Sequence, residues 1–279
     1  MEHVRWSSRP ALRRPVLITA FEGWNDAGDA ASTADRWLRD RWADRPFAEI
    51  DPEEFFDFTA SRPQVRLVDG GRHIDWPLTD LTAGTVGDRD VVILLGNEPQ
   101  LRWRTYCDQV VAVARELGVE LVLTLGALLA EVPHTRPTSI VASTDDSVLA
   151  ERIDATPSQY EGPTGIVGVL HDAFRRAGTP TASLWAAVSA YVPGAPSPKA
   201  ALALVERVAG LLDTSVVTTD LEIASAAYER QVSEVVADDE EMTEYLAGLE
   251  TQYDQEDGVP SPASLVEEVE RFLREQRDR

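Results

Sequence analysis

Four short apolar runs, Val16 to Ala20, Val91 to Leu95, Val119 to Leu125 and Ala182 to Val188, are bounded by turn-forming residues and lead into polar loops. Their length and β-branched content predict buried strands. Between them the spacing of apolar residues changes to the helical period. Ala27, Ala30, Ala34, Trp37 and Leu38 fall on one face behind Asp26, a predicted N-cap with Asp29 three residues on, close to a capping box. A second helix, from about Gln100 to Leu117, carries Tyr106, Val110, Val113 and Leu117 on one stripe and stops at Gly118. A third, Pro163 to Ala177, stops at Gly178, and a fourth starts with Ser197 as cap and Pro198 in its first turn. Strand and helix alternate to residue 212, which predicts an α/β domain over 15–212 around a mostly parallel, covered sheet, preceded by an arm over 1–14.

Val65 to Trp76 interrupts the alternation. Two short alternating runs flank Asp69-Gly70-Gly71 in the manner of a β-hairpin, expected at an edge or in an oligomer contact. From about Thr219 the pattern is wholly helical. Leu221, Ala224, Tyr228, Val232 and Val235 form one stripe, Met242, Leu246, Leu249 and Tyr253 a second, and Leu265, Val269 and Phe272 a third. Gly258, Pro260 and Pro262 break the last linker, Asp254 to Pro262. Residues 213–279 are therefore read as an acidic helical extension.

Charge sharpens this division. The chain of 279 residues has a formal charge of −22, and residues 213–279 hold 19 acidic and 5 basic side chains. Such an extension repels phosphate backbones, so nucleic acid is not expected as a partner. No apolar run approaches the ~20 residues of a membrane helix, and Met1 to Arg14 lacks the apolar core of a signal peptide. A cytoplasmic protein without membrane contact is the expectation. The single cysteine, Cys107, lies beside the stripe of the second helix and reads as a buried, inert thiol.

Candidate chemistry gathers where strands end, the position at which open α/β sheets bind ligands. The first junction is Glu22-Gly23-Trp24-Asn25-Asp26, with Asp29 beyond it. Its oxygens suit hard cations, yet Asp26 and Asp29 are explained as capping groups and the spacing is not that of an EF-hand, so no metal is assigned. The second is Gly96-Asn97-Glu98-Pro99. The third, Pro133-His134-Thr135-Arg136-Pro137, offers an imidazole and a guanidinium on a stiff loop; Arg136 either grips an anion or pairs with Glu22, Glu98 or Glu161. The fourth, Tyr160-Glu161-Gly162-Pro163-Thr164-Gly165, opens a helix with small residues and free N–H groups. Dinucleotide, P-loop, nucleophile-elbow and zinc-enzyme signatures are absent from the sequence, and no cofactor is indicated. His171 sits in the stripe of Val167, Leu170 and Phe174 as a core or subjacent histidine, while His3 and His73 have no context beyond the surface.

Taken together, Ala20 to Ala31, Gly96-Asn97-Glu98-Pro99, Pro133 to Pro137, Tyr160 to Gly165 and Ser197-Pro198-Lys199-Ala200 resemble the PAC2 family, the proteasome assembly chaperone 2 family, in an actinobacterial form. The likeness spans about residues 15–212, and Gly23-Trp24-Asn25-Asp26-Ala27-Gly28 is its most specific part. It implies a three-layer α/β fold similar to phosphorylases and related hydrolases, assembled as homo-oligomers, with a trimer favoured. Relatives hold proteasome subunits, so a protein partner is expected. Two departures stand out. Ser189-Ala190-Tyr191 replaces the Pro-His-Tyr common in the family, and Arg277-Asp278-Arg279 lacks the hydrophobic residue and tyrosine of docking tails, so docking by that route is not expected.

Two functions compete on this reading. One is a non-catalytic, oligomeric assembly or scaffolding protein of chaperone type. The other is an enzyme or sensor for a small anionic metabolite, its pocket drawn from Glu22, Gly23, Trp24, Asn25, Asp26, Asn97, Glu98, His134, Thr135, Arg136, Glu161, Gly162, Thr164 and Gly165. There Arg136 and the helix N-termini would hold the anion, and His134 or Glu22 would move the proton.

Overall fold

Each of the four apolar runs forms a strand, and most continue into the polar residues that follow. The computed structural model describes residues 2–43, 45–68, 70–158 and 160–255. In chain order the elements are β1 (Val4–Trp6), β2 (Val16–Glu22), α1 (Ala30–Trp42), β3 (Ala48–Ile50), β4 (Gln64–Val68), β5 (Gly71–Asp75), β6 (Thr79–Val86), β7 (Arg89–Asn97), α2 (Trp103–Leu117), β8 (Leu121–Ala130), β9 (Ile140–Ser143), α3 (Ser147–Ile153), α4 (Ile166–Ala177), β10 (Thr181–Ser189), α5 (Pro198–Leu211), α6 (Thr219–Ala237) and α7 (Glu240–Gln255).

Eight strands form one sheet in the order β1-β3-β6-β7-β2-β8-β10-β9. The central pairs β7-β2, β2-β8 and β8-β10 are parallel, and the flanking pairs β1-β3, β3-β6, β6-β7 and β10-β9 are antiparallel. The sheet is thus parallel only where the four apolar runs lie. β6, Thr-Asp-Leu-Thr-Ala-Gly-Thr-Val, gives no apolar run, because polar threonines and an aspartate alternate through it; at Gly84 it lies so close to α1 that a Cβ would overlap the Trp42 carbonyl. The arm expected over residues 1–14 is in part an edge strand, β1 on β3, with Val4, Trp6 and Leu12 packed against the core.

Alternation along the buried strands divides the core into two layers. Val16, Ile18 and Ala20 pack with α1 and α5, while Leu17 and Phe21 face α2 and α4. Burying strands on both faces is what permits continuous hydrophobic runs. Cys107 lies in the second layer, 1% exposed, and burial pushes its thiol up to about 12.

The helix boundaries follow the punctuation with one correction. Gly118 and Gly178 close α2 and α4 in the left-handed conformation, and the Ser197 hydroxyl accepts from the Ala200 N–H at the start of α5. The capping box expected at Asp26 and Asp29 is replaced by a longer device. A 3₁₀ turn, Ala27–Asp29, intervenes, and the Asp26 carboxylate reaches over it to accept from the Ala31 and Ser32 N–H groups at 2.7 and 3.1 Å.

From Thr219 to Gln255 the described chain is helical as the pattern predicts, with α6 on α5 and α7 on α6. The buried face of α6 is Leu221, Ser225, Tyr228, Val232 and Val236, so Val235 points outward, contrary to the expected stripe. The predicted third helix around Leu265 and most of the preceding linker lie outside the described residues. Among the described residues no helix is long and apolar enough to cross a membrane.

Candidate functional site

Strand ends supply the polar residues in two groups. In the first, Glu22 at the end of β2 accepts from Asn97 Nδ2 at 2.9 Å and from Arg36 of α1 at 2.6 Å. Parallel register puts Glu22 directly beside Asn97, so their proximity is a consequence of strand pairing. Glu98 accepts from Asn25 Nδ2 at 3.1 Å, the Trp24 N–H at 3.4 Å and the Ile166 N–H at 2.8 Å. The last bond places a carboxylate at the N-terminus of α4, where helix dipole and free N–H groups favour negative charge. The helix start read from sequence as an anion site thus holds the protein's own anion.

Asn25 is buried, and Gly165 is required beside it, since any Cβ there would overlap the Asn25 amide. Gly23 has φ +130°, and a Cβ there would lie 3.1 Å from Glu98 Cβ, so a side chain would be strained twice over. Asp26 is buried with Oδ2 unpartnered, and burial raises its carboxyl above the usual range despite the bonds from Ser32 and Ala31. Trp24 is 47% exposed on the rim. Glu161, Gly162 and Thr164 are exposed on the loop before α4, where the Tyr160 hydroxyl donates to the Pro163 carbonyl at 2.8 Å.

The second group lies past the end of β8. His134 is 3% exposed, with Nδ1 2.6 Å from the Tyr191 hydroxyl and Nε2 2.9 Å from the Ser233 hydroxyl of α6. The same Tyr191 oxygen accepts the His134 backbone N–H at 2.8 Å. Lys199 donates to the His134 carbonyl and to Glu229, both at 2.6 Å. Burial and the neighbouring Lys199 ammonium push the His134 imidazole below its ordinary value. With both ring nitrogens engaged, His134 fastens a loop to a helix.

Arg136 corrects the sequence reading most directly. Its guanidinium makes two bonds of 2.8 Å to Asp254 and one of 3.1 Å to Glu250, both on α7, rather than pairing with Glu22, Glu98 or Glu161. Thr135 also donates to Glu250, and the Tyr253 hydroxyl donates to the Pro137 carbonyl at 3.1 Å. Glu22, Asn25, Asn97 and Glu98 bind one another and the start of α4, while His134, Thr135 and Arg136 bind the helical extension.

Sequence reasoning missed Tyr191, Ser233, Glu229, Glu250 and Asp254 as partners of that loop, since they lie 57 to 118 positions downstream of it. Lys199 was visible only as part of a motif. His171 sits where a core histidine was expected, with Nδ1 2.8 Å from the Ser183 hydroxyl. Among the described residues no group of three or more His, Cys, Asp or Glu side chains comes together to hold a metal.

Solved structures place this architecture among known proteins. A PAC2 family protein from Streptomyces avermitilis is 47% identical with a TM-score of 0.78, the match covering 83% of this chain and 99% of that one. A Mycobacterium tuberculosis proteasome-assembly chaperone homologue is 44% identical with a TM-score of 0.75, again over 83% and 99%. PbaA of Pyrococcus furiosus, an archaeal homolog of proteasome-assembly chaperone, shares the fold at 17% identity and a TM-score of 0.60, over 83% of this chain and 96% of that one. No curated protein matches the chain. The PAC2 family model matches residues 20–236, and together with these relatives it shows that the chain belongs to the PAC2 family.

Proposed function

We propose that this protein is a non-catalytic, oligomeric assembly or scaffolding protein of chaperone type, acting in the cytoplasm as a homotrimer that holds a protein partner. The observation that carries this reading is the closure of the strand-end residues upon themselves. A small-anion site needs a cationic group facing solvent, yet Arg136 is occupied by Glu250 and Asp254, and the start of α4 is occupied by Glu98. Of the two candidate proton carriers, His134 has both ring nitrogens bonded within the protein, and Glu22, its side chain 45% exposed, is engaged by Arg36 and Asn97.

The hairpin offers outward apolar surface. Val65, Leu67, Val68, Ile74 and Trp76 project from the β4–β5 hairpin, each about half exposed or more. The likeness to a protein described as a proteasome-assembly chaperone homologue supports a role in holding other chains. In-cell crosslinking at native expression, read by mass spectrometry, tests the reading. Repeated capture of one defined protein partner is expected, and recovery of self-contacts alone overturns the proposal.

A further inference from the structure

Of the 16 residues of α7 only Leu249 is buried, whereas α6 buries five over 19. Met242 and Leu246 lie half-buried on the cluster of Tyr228, Val232 and Val236, and Tyr245 meets Tyr191 edge-on, ring centroids 5.9 Å apart. The last turns are held by polar groups. Glu250 and Asp254 grip Arg136, Glu250 also accepts from Thr135, and the Tyr253 hydroxyl donates to the Pro137 carbonyl. The ion pairs meet solvent, with the Arg136 side chain 30% exposed and that of Asp254 55%, and pairs of this kind hold weakly. Elements with few buried apolar contacts and exposed polar ties are the first to open. Asp238 and Asp239 alone join α6 to α7, so α7 can leave without moving α6.

The side chains that make these ties share one face. Leu246, Leu249, Glu250, Tyr253 and Asp254 follow the helical spacing i, i+3, i+4, i+7 and i+8. Apolar anchors flanked by acids on one stripe are what a helix laid into a groove presents. The loop beneath is the complementary seat. Arg136 supplies the positive charge in a chain of −22, Thr135 a donor and the Pro137 carbonyl an acceptor, while Pro133 and Pro137 keep the loop stiff. Residues 238–255 hold seven acidic side chains and no basic one, so the helix seated here in cis is acidic as well as amphipathic.

We infer that the loop 133–137, with Arg136 at its centre, is a docking seat for an acidic amphipathic helix of the protein partner, and that α7 fills this seat in cis until such a helix displaces it. The inference rests on the scaffolding function proposed above and adds the partner's chemistry and the device that regulates its binding. Charge selects the occupant, because the guanidinium fork that holds Asp254 fits any carboxylate presented one turn after another on a helix. A second copy's α7 would bring the same side chains and no gain, against a competitor in cis whose effective concentration is of order mM. A partner helix prevails by burying more apolar surface than α7, which leaves ample room for that with its single buried residue.

Fluorescence anisotropy with the full chain and a labelled peptide of residues 240–255 tests it. Glu250→Gln combined with Asp254→Asn in the full chain loosens the helix in cis and leaves the seat intact. The peptide should bind this double variant about tenfold or more tightly than it binds the wild type, since affinity scales with the fraction of seats left open. Adding Arg136→Glu should abolish the gain, and a peptide carrying both amide replacements should bind neither protein. Equal binding to wild type and double variant, or none to either, overturns the exchange. A gain that survives Arg136→Glu overturns the seat. A wild-type dimer held by exchanged α7 helices, seen by native mass spectrometry and lost with Arg136→Glu, makes the occupant a second copy and overturns the partner assignment. The scaffolding reading is judged apart from these outcomes by the in-cell crosslinking above. A partner captured only on other surfaces keeps that reading and overturns this seat, whereas capture of no partner removes the reading whatever the peptide does.

Discussion

Arg136 and Asp254, 118 positions apart, are joined by two parallel hydrogen bonds of 2.8 Å that pin α7 across the loop following β8. The fork of a guanidinium matches a carboxylate in this way, which fixes orientation as well as distance. Asp254 is held below the usual carboxylate range by that bond. Both groups meet solvent, so the pair should act on local order more than on global stability. Arg136→Gln is expected to speed amide hydrogen exchange across α7 while leaving exchange in β2 and β8 unchanged. Equal protection of α7 in both proteins would show that the pair does not anchor it.

Gly165 makes a sharper prediction. Its backbone angles are open to any residue, φ −91°, so the glycine is there for space alone. A Cβ would displace the Asn25 amide and with it the bond from Asn25 to Glu98. Gly165→Ala should cost about 1–3 kcal/mol, as overpacking does. Calorimetry should show a fall in Tm of roughly 2–4 °C per kcal/mol.

Asp35 of α1 is fully buried, and neither of its oxygens has a hydrogen-bond partner. Desolvation raises its carboxyl well above the usual range, with Arg39 opposing only in part. An acid raised in the folded state favours folding least at high pH, because the unfolded chain releases the proton more readily. Asp35→Asn should therefore stabilise the protein at pH 7 to 8. The gain should vanish near pH 4. Denaturant unfolding at several pH values measures this, and a gain independent of pH would contradict it.

His134 gives the opposite slope. Its imidazole is lowered in the folded state, as is that of His171, so both take up protons on unfolding. Their stabilising effect is complete above about pH 6.5 and is lost as pH falls through that value toward the folded one. His134→Gln should flatten the slope between pH 7 and 5 without abolishing it, because His171 remains. An unchanged slope in the variant would place the titration elsewhere.

Cys107, buried and with its thiol pushed up to about 12, should resist labelling in the native protein at pH 8 and react fully in denaturant. Rapid native labelling by a thiol reagent would show that the α2 layer opens.

The legible part of this fold was the part whose physics is local. Val16 to Ala20 and its three counterparts read as strands because burial on both faces leaves only apolar residues. Gly118, Gly178 and Ser197 marked helix ends because positive φ and orphan N–H groups restrict residue choice at those positions. β1, β3 and β9 were illegible, being three or four residues long at the flanks, and β6 was hidden by its threonines.

The polar residues at the strand ends divide along the same line. Sequence by itself determined that Glu22, Asn97, Glu98 and His134 would stand at one end of the sheet, since parallel strands deliver their trailing residues to a common edge. Only the tertiary structure decided what those residues face. Arg136 meets Asp254 and His134 meets Ser233 because α6 and α7 fold back over the sheet end. Hydrophobic periodicity fixes which side of a helix is buried, whereas the partner of a polar side chain depends on contacts a hundred residues away.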